Sequence, residues 1–447
     1  SCPSLRGGGD NRDILRGNMR QGVCMELRPT GYDKVVQLVN KGVIIPNPLT
    51  LDVGEEVDVA RISGEGVTIY PGCRLYGAKT VISAGVKLGA EAPVTIDDCR
   101  LGPGAELAGG YFRRSVFLGK AKRGSGAHVR EGCLVEEEAS GAHCVGLKQT
   151  ILFPFVTLGS LINFCDCFMA GGTSRQDHSE VGSSYIHFNY TPDGDKATAS
   201  LFGDVPRGVM LACSPIFLGG QGAAVGPVQV GYGTVVASGS VLRHDVWEDG
   251  QLVASAPPPG FRRKHHPRAY PNLVHIVRNN VIYLANLVAL EEWYRRVRRL
   301  FFARQEMGEL LYEGALEVLA SARAERTKRL MDMAEKVPTA KPSGREFRER
   351  AGEVCALFAG AGPTPSTSRS VPPLAPEGVK FLEALESAAS VSAGTSNDAS
   401  AGYLQTIQGL PQEVSAQGTR WLQGIVDGLC QQADSLLPAM SLFMARG

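Results

Sequence analysis

The stretch Ile69–Val94, "IYPGCRLYGAKTVISAGVKLGAEAPV", decides the fold. Ile69, Leu75 and Val81 stand six residues apart, and so do Ile82, Leu88 and Val94. Between them lie "YPGC" and "SAGV", small residues where a chain must turn. A period of six implies that each unit lays down one short strand and one turn. Three units then close one coil of a triangular prism, and the coils stack through parallel sheets. One aliphatic side chain per strand points inward and small residues fill the corners. Leu101 and Leu107 keep the spacing, and Val230, Val236 and Leu242 repeat it far downstream. A sandwich of short strands would need period-two alternation and hairpin turns, and this segment has few of either. The predicted fold is β plus α: a left-handed parallel β-helix of hexapeptide repeats over residues 49–256, followed by a long helical C-terminal region.

Outward from this core, residues 1–48 read as a lead-in, with one short helix in "YDKVVQLVNKGV" ending near Gly42. Pro46 and Pro48 stop any continuation. Residues 257–340 read as a helical extension, because Leu273, Val277, Val281, Leu284 and Val288 recur every three or four residues. Such helices need a surface to pack on. Residues 341–376 read as a Pro/Ser/Thr-rich linker around one short helix, and 377–447 as a C-terminal helical segment. The cluster Arg262, Arg263, Lys264, His265, His266 reads as a solvated basic linker, with a phosphate or acidic-partner grip as the alternative.

The chain has 447 residues, enough for two or three domains. Its net charge of +1 gives no global field toward nucleic acid or anionic lipid, so neither is expected as a partner. There is no apolar run of about eighteen residues, so no membrane span is expected, and the first residues lack the apolar core of a secretion signal. The 11 cysteines carry no CxxC spacing, which fits reduced thiols and a cytoplasmic location. Cys73, Cys99 and Cys133 occupy small-residue slots of the repeat. The 54 glycines concentrate in the repeat region, as frequent tight turns require.

The period breaks at "RRSVFLGKAKRGSGAHVREG" and at "TSRQDHSEVGSSYIHFNYTPDGDKATASL". Loops that leave a solenoid often carry its function. The second contains Asn189, Tyr190, Asp193, Gly194 and Lys196, and is followed by "GDVPRGV" and "VGYGTVVASGSVLRHDV". Over about residues 125–245 the chain resembles the acetyltransferase domain of the bifunctional bacterial enzymes that make UDP-N-acetylglucosamine. Thr191 and Pro192 are inserted relative to that family's motif. The resemblance implies acetyl transfer from acetyl-CoA to the amine of a glucosamine-1-phosphate-like sugar. It also implies a homotrimer with the coenzyme in the groove between neighbouring prisms. It puts the sugar-phosphate arginine on Arg130, its partner lysine on Lys148 and a later lysine on Lys196. Asn189 and Tyr190 take the sugar-contacting places, and Ala237 and Ser238 approach the pantetheine. These residue types suit such a ligand, since a phosphate dianion needs a guanidinium fork and ammonium charges, and Asn and Tyr can bond sugar hydroxyls.

The proton-handling half of the family's site is replaced. Its histidine base falls on Ser160, its supporting carboxylate on Gly146, a sugar-contacting tyrosine on Asn163 and an asparagine on Glu180. A serine at neutral pH does not do a histidine's work unaided, so His178 and His187 are the candidates for a relocated base. Cys165 and Cys167 alternate about Asp166, which on a strand would turn both thiols to one side, and with His178 they form a metal-like grouping without a second pair; no metal site is expected. "RGGGD" at Arg6–Asp10 lacks a strand–loop–helix context, so no nucleotidyltransferase domain is read here. Three readings follow: an acyltransferase, a non-catalytic module for a sugar phosphate or nucleotide sugar, and a trimeric scaffold whose late helices meet a partner.

Overall fold

A computed structural model describes residues 31–188, 196–255, 259–262, 264–359, 374–392 and 399–443. Three parallel sheets form the faces of a left-handed β-helix of about 11 turns. Face I has ten strands, from Thr68–Ile69 to Leu252–Val253. Face II also has ten, from Asp52–Val53 to Val241–Leu242, and face III has eight, from Val81–Ile82 to Gln229–Val230. Each coil visits I, II and III in order, as Lys122–Arg123, Ala127–Val129 and Cys133–Val135 do. The aliphatic ladder lies inside: Ile69, Leu75, Val81, Ile82, Leu88, Val94, Leu101, Leu107, Val230, Val236 and Leu242 are all buried.

The II–III corner is made by a column of residues in the left-handed region: Gly77, Asp98, Arg114, Gly132, Gln149 and Asp166. At Gly77 an added Cβ would lie 2.2 Å from the Asp98 amide nitrogen, so only glycine fits. The four non-glycine members each accept a cost of about 1 kcal/mol for this conformation. The interior also departs from the aliphatic pattern at Arg123, which points inward and is 1% exposed. Gly141, its partner on the next coil, leaves it room. Its guanidinium lies over Phe117 and donates to the Lys122 carbonyl at 2.6 Å, and burial lowers its pKa to about 10.

His187 points inward as well. It lies on the face II strand Ile186–Phe188, near the rings of Phe164 and Phe202, with Nε2 2.7 Å from Ser200 Oγ. Burial holds its pKa down to about 4. At the start of the prism, the helix Tyr32–Lys41 lies across the first coil, and Lys34 donates to the carbonyls of Gly54, Glu55 and Val57.

The late helices close over face III. Gly308–Ala334 packs on the strands Arg100–Leu101, Ser115–Phe117 and Cys133–Val135, and Leu273–Trp293 packs on Ser200–Phe202. The remaining helices, Pro342–Leu357, Pro376–Ser392, Ala399–Gln408 and Gln412–Leu436, build outward from these two. The segment Leu273–Phe302 is long and apolar enough to cross a membrane by length and composition, but most of it is buried within the protein. Its three asparagines bond to the β-helix: Asn279 to the Pro227 carbonyl and Asp245, Asn280 to the Ala197 carbonyl, and Asn286 to the Val205 amide. Further along, Tyr294 donates to Glu136 and Arg298 pairs with Glu137, each at 2.5 Å and each buried. The surface these helices require is therefore the chain's own β-helix.

Two buried groups make stability depend on pH in opposite directions. Burial raises the Glu136 carboxyl from 4.5 to about 7. The folded state thus binds the extra proton between these values, and Glu136's contribution is present below 4.5 and lost as pH rises through 7. A Glu136→Gln variant should lose less stability than the wild type between pH 4.5 and 7. His187 is lowered from 6.5 to about 4, so its contribution is present above 6.5 and lost as pH falls toward 4. A His187→Gln variant should have a flatter acid limb over that window, read as urea midpoints at fixed pH steps.

Candidate functional site

Arg130, Lys148 and Lys196 all belong to the II–III corner. Arg130 follows the strand Ala127–Val129, and its amide donates to the Leu147 carbonyl at 2.9 Å. Lys148 ends the next strand of face II and pairs in register with Cys165 on the coil after it. Arg130 is exposed and directs Nη2 toward Cys165 Sγ at 3.9 Å. Lys148 is half-buried and bonds to Glu131 at 2.9 Å. Burial pushes the Glu131 carboxyl up, but the hydrogen bond and charge of Lys148 outweigh it and hold the pKa below the usual value. A bound anion would therefore share Lys148 with Glu131. Lys196 lies on the excursion between faces II and III, in the left-handed region and exposed. Asn189 and Tyr190 lie outside the described residues.

The late helix Gly308–Ala334 supports this corner. Arg326 donates to Asp166 Oδ1 at 2.7 Å and to the Lys196 carbonyl at 3.3 Å, and is almost fully buried. It ties the base of the excursion to the coil that carries Cys165. Sequence reasoning passed over Arg326, although Arg323, Arg326 and Arg329 recur at a spacing of three on a helix that must cover a β-surface.

Across face II, at the I–II corner, stands a second group. Ser160 Oγ is 3.0 Å from His143 Nδ1, and His143 is exposed on the preceding coil. Between the two corners the outward residues of face II are in register: Tyr111, His128, Gly146, Asn163 and Ile186. Tyr111 and His128 stack at 5.4 Å between ring centroids. Gly146 has no side chain, which leaves a gap in the row between His128 and Asn163, and a Cβ added there would lie 3.8 Å from Asn163 Oδ1. His143 and Lys148 are five residues apart, at most about 17 Å, and their side chains bond at opposite edges of this face, to Ser160 and to Glu131. The cations thus stand at one edge of a gap and an imidazole–hydroxyl pair at the other.

The two histidines singled out from the sequence stand apart from this surface. His187 is inside the prism, and His178 is half-buried at the III–I corner, where it bridges to Gly172. Ala237 and Ser238 lie at the I–II corner, the corner of His143 and Ser160, three coils beyond Ser160 at about 4.8 Å per coil. Cys165 and Cys167 do not share a face as their alternation suggested. The corner at Asp166 puts Cys165 on face II and Cys167, fully buried, on face III. Among the described residues no histidine, cysteine, aspartate and glutamate side chains cluster as a metal set.

No family model matches the chain. Curated relatives do. It is 25% identical over 214 residues to the bifunctional protein GlmU of Thermotoga maritima, covering 48% of this chain and 42% of the relative. It is 27% identical over 221 residues to GlmU of Carboxydothermus hydrogenoformans, covering 49% and 44%. With GlmU of Nocardia farcinica it shares 25% identity over 260 residues, covering 58% and 43%. The chain thus spans less than half the length of each of these relatives. The repeat spacing, the all-parallel three-faced solenoid and these relatives agree: the chain carries a hexapeptide-repeat β-helix of the kind found in the GlmU acetyltransferase domain.

Proposed function

We propose that this protein is an acyltransferase of the hexapeptide-repeat class, moving an acetyl group from acetyl-CoA to the amine of an amino-sugar phosphate. The observation that carries this reading is the convergence of Arg130, Lys148 and Lys196 on one corner, beside an open face that ends in a hydrogen-bonded imidazole. In this reading Arg130 and Lys148 hold the phosphate, with Lys196 added from the excursion. Asn189, Tyr190 and Asn163 contact the sugar. Ala237 and Ser238 lie beside the pantetheine arm, which would run along the I–II corner toward Ser160. A cytoplasmic location suits both the free thiols and the substrates. Of the base candidates from the sequence, His178 would need a second copy of the chain to bring it to this face, and His187 would need the prism to open.

A homotrimer is part of the proposal, and an exposed apolar ladder supports it. Phe217, Val235 and Leu252 are in register on the outer surface of face I, at 37%, 41% and 78% exposure. Ile186 and Phe188 are exposed on face II around the same corner. Face III is already occupied by the late helices, so self-association would use the other two. A Val235→Glu, Leu252→Glu double variant should sediment as a monomer where the wild type sediments as a trimer, because burying unpaired carboxylates at the interface is prohibitive.

The direct test is thiol release from acetyl-CoA with glucosamine-1-phosphate and a panel of other sugar phosphates. Release should require a sugar phosphate. Lys148→Ala and Arg130→Ala should each raise KM for it by about tenfold or more, the loss of a charge-assisted hydrogen bond. The second reading, a binding module, draws on the absence of the family's histidine and carboxylate at Ser160 and Gly146. It would be supported by a sugar phosphate raising Tm without any thiol release.

A further inference from the structure

The pair at the I–II corner, toward which the pantetheine arm would run, is given no contact with the phosphate or the sugar in the reading above. We infer that Ser160 and His143 together form the proton-accepting end of the site, with Ser160 meeting the acceptor amine and His143 drawing the proton through it. The inference rests on the acyl-transfer reading. Four observations carry it.

The two groups are bonded to each other, Ser160 Oγ to His143 Nδ1 at 3.0 Å. They come from successive coils, tied by the Leu161 amide donating to the His143 carbonyl at 3.1 Å. Ser160 is also held from the other side, since its amide donates to Ser183 Oγ at 3.1 Å, so three coils position one hydroxyl. Lastly, both residues stand at the I–II edge of face II, the edge opposite Arg130 and Lys148, whereas His187 is enclosed and His178 is at another corner.

The chemistry closes on these residues and the two substrates. With His143 protonated on Nε2, the Ser160 hydroxyl donates to Nδ1. The sugar amine attacks the thioester carbonyl; the C–N bond forms and the C–S bond breaks. The amine proton passes to Ser160 Oγ as the serine proton passes to Nδ1. The imidazolium then returns a proton to the departing thiolate, leaving a free thiol and a neutral histidine. Ser160 is the catalytic residue, and His143 acts through it. Two residues on adjacent coils thereby do what one imidazole does elsewhere. Positioned general bases of this kind contribute about 10² to 10⁴ in rate.

Cys144, the exposed neighbour of His143 in sequence, and His128, in register with Gly146 on the preceding face II strand, are the controls. The test is therefore kcat and KM against pH for the full chain and for His143→Gln, Ser160→Ala, His128→Gln and Cys144→Ser, with acetyl-CoA and the sugar phosphate that gives thiol release. The expected result is a kcat about 100-fold lower in His143→Gln, with KM for the sugar phosphate within about threefold. The acid inflection of the profile should disappear in that variant. Free imidazole should restore turnover to His143→Ala, since the side chain is exposed. Full activity with an unchanged profile in His143→Gln would overturn the inference, and so would loss of the inflection in His128→Gln or Cys144→Ser instead. A wild-type protein that releases no thiol with any sugar phosphate would overturn the acyl-transfer reading itself, and this inference with it.

Discussion

Each corner of the prism must turn the chain within two or three residues while leaving its backbone free to bond to the coils before and after. The left-handed region of φ meets that demand, and the rest of the molecule follows from where it is met. Glycine takes such positions at little cost, as at Gly77. Asp98, Arg114, Gln149 and Asp166 take them at some cost, and carry side chains that a glycine lacks, as where Arg114 pairs with Asp98. Asp166 illustrates the exchange. Its backbone makes the turn between Cys165 and Cys167, and its carboxylate receives Arg326 from the late helix. One residue thus links the coil, the helical region and the base of the excursion that carries Lys196.

The helical region binds the prism through buried polar pairs set within one continuous apolar core. Arg298 with Glu137, Tyr294 with Glu136, Arg326 with Asp166 and Asn286 with the Val205 amide all cross the same boundary. Each isolated partner would be costly to bury alone, so the pairs fix how the helices sit on face III. This explains why an apolar helix such as Leu273–Trp293 contains three asparagines. They supply the specific registration that interchangeable aliphatic contacts cannot.

The repeat region was legible because its period is short, strict and tied to one geometry: every hexad aliphatic named from the sequence lies inside. Arg123 was not legible, because its accommodation depends on Gly141, its register partner one coil away. The same blindness to stacking hid the Ser160–His143 pair. Seventeen residues separate the two in sequence, the length of one coil, and only the closed prism makes them neighbours. The alternation of Cys165 and Cys167 misled for a related reason, since a corner residue between them moves the second thiol to another face. Arg130, Lys148 and Lys196 are picked out by a resemblance in spacing. Their support from Arg326 was not legible, because it comes from a helix 160 residues further on.

The excursions at residues 170–179 and 203–216 leave the prism at corners and rejoin it at the start of the next strand. A coil contacts only its neighbours, so a longer detour adds little to the loop-closure cost, which grows only with the logarithm of length. The interior ladder is untouched by what happens outside. Architecture and surface are thus written in separate parts of the chain: the hexads can stay constant while the corner loops are exchanged, and the outline of the prism can change without renegotiating its fold.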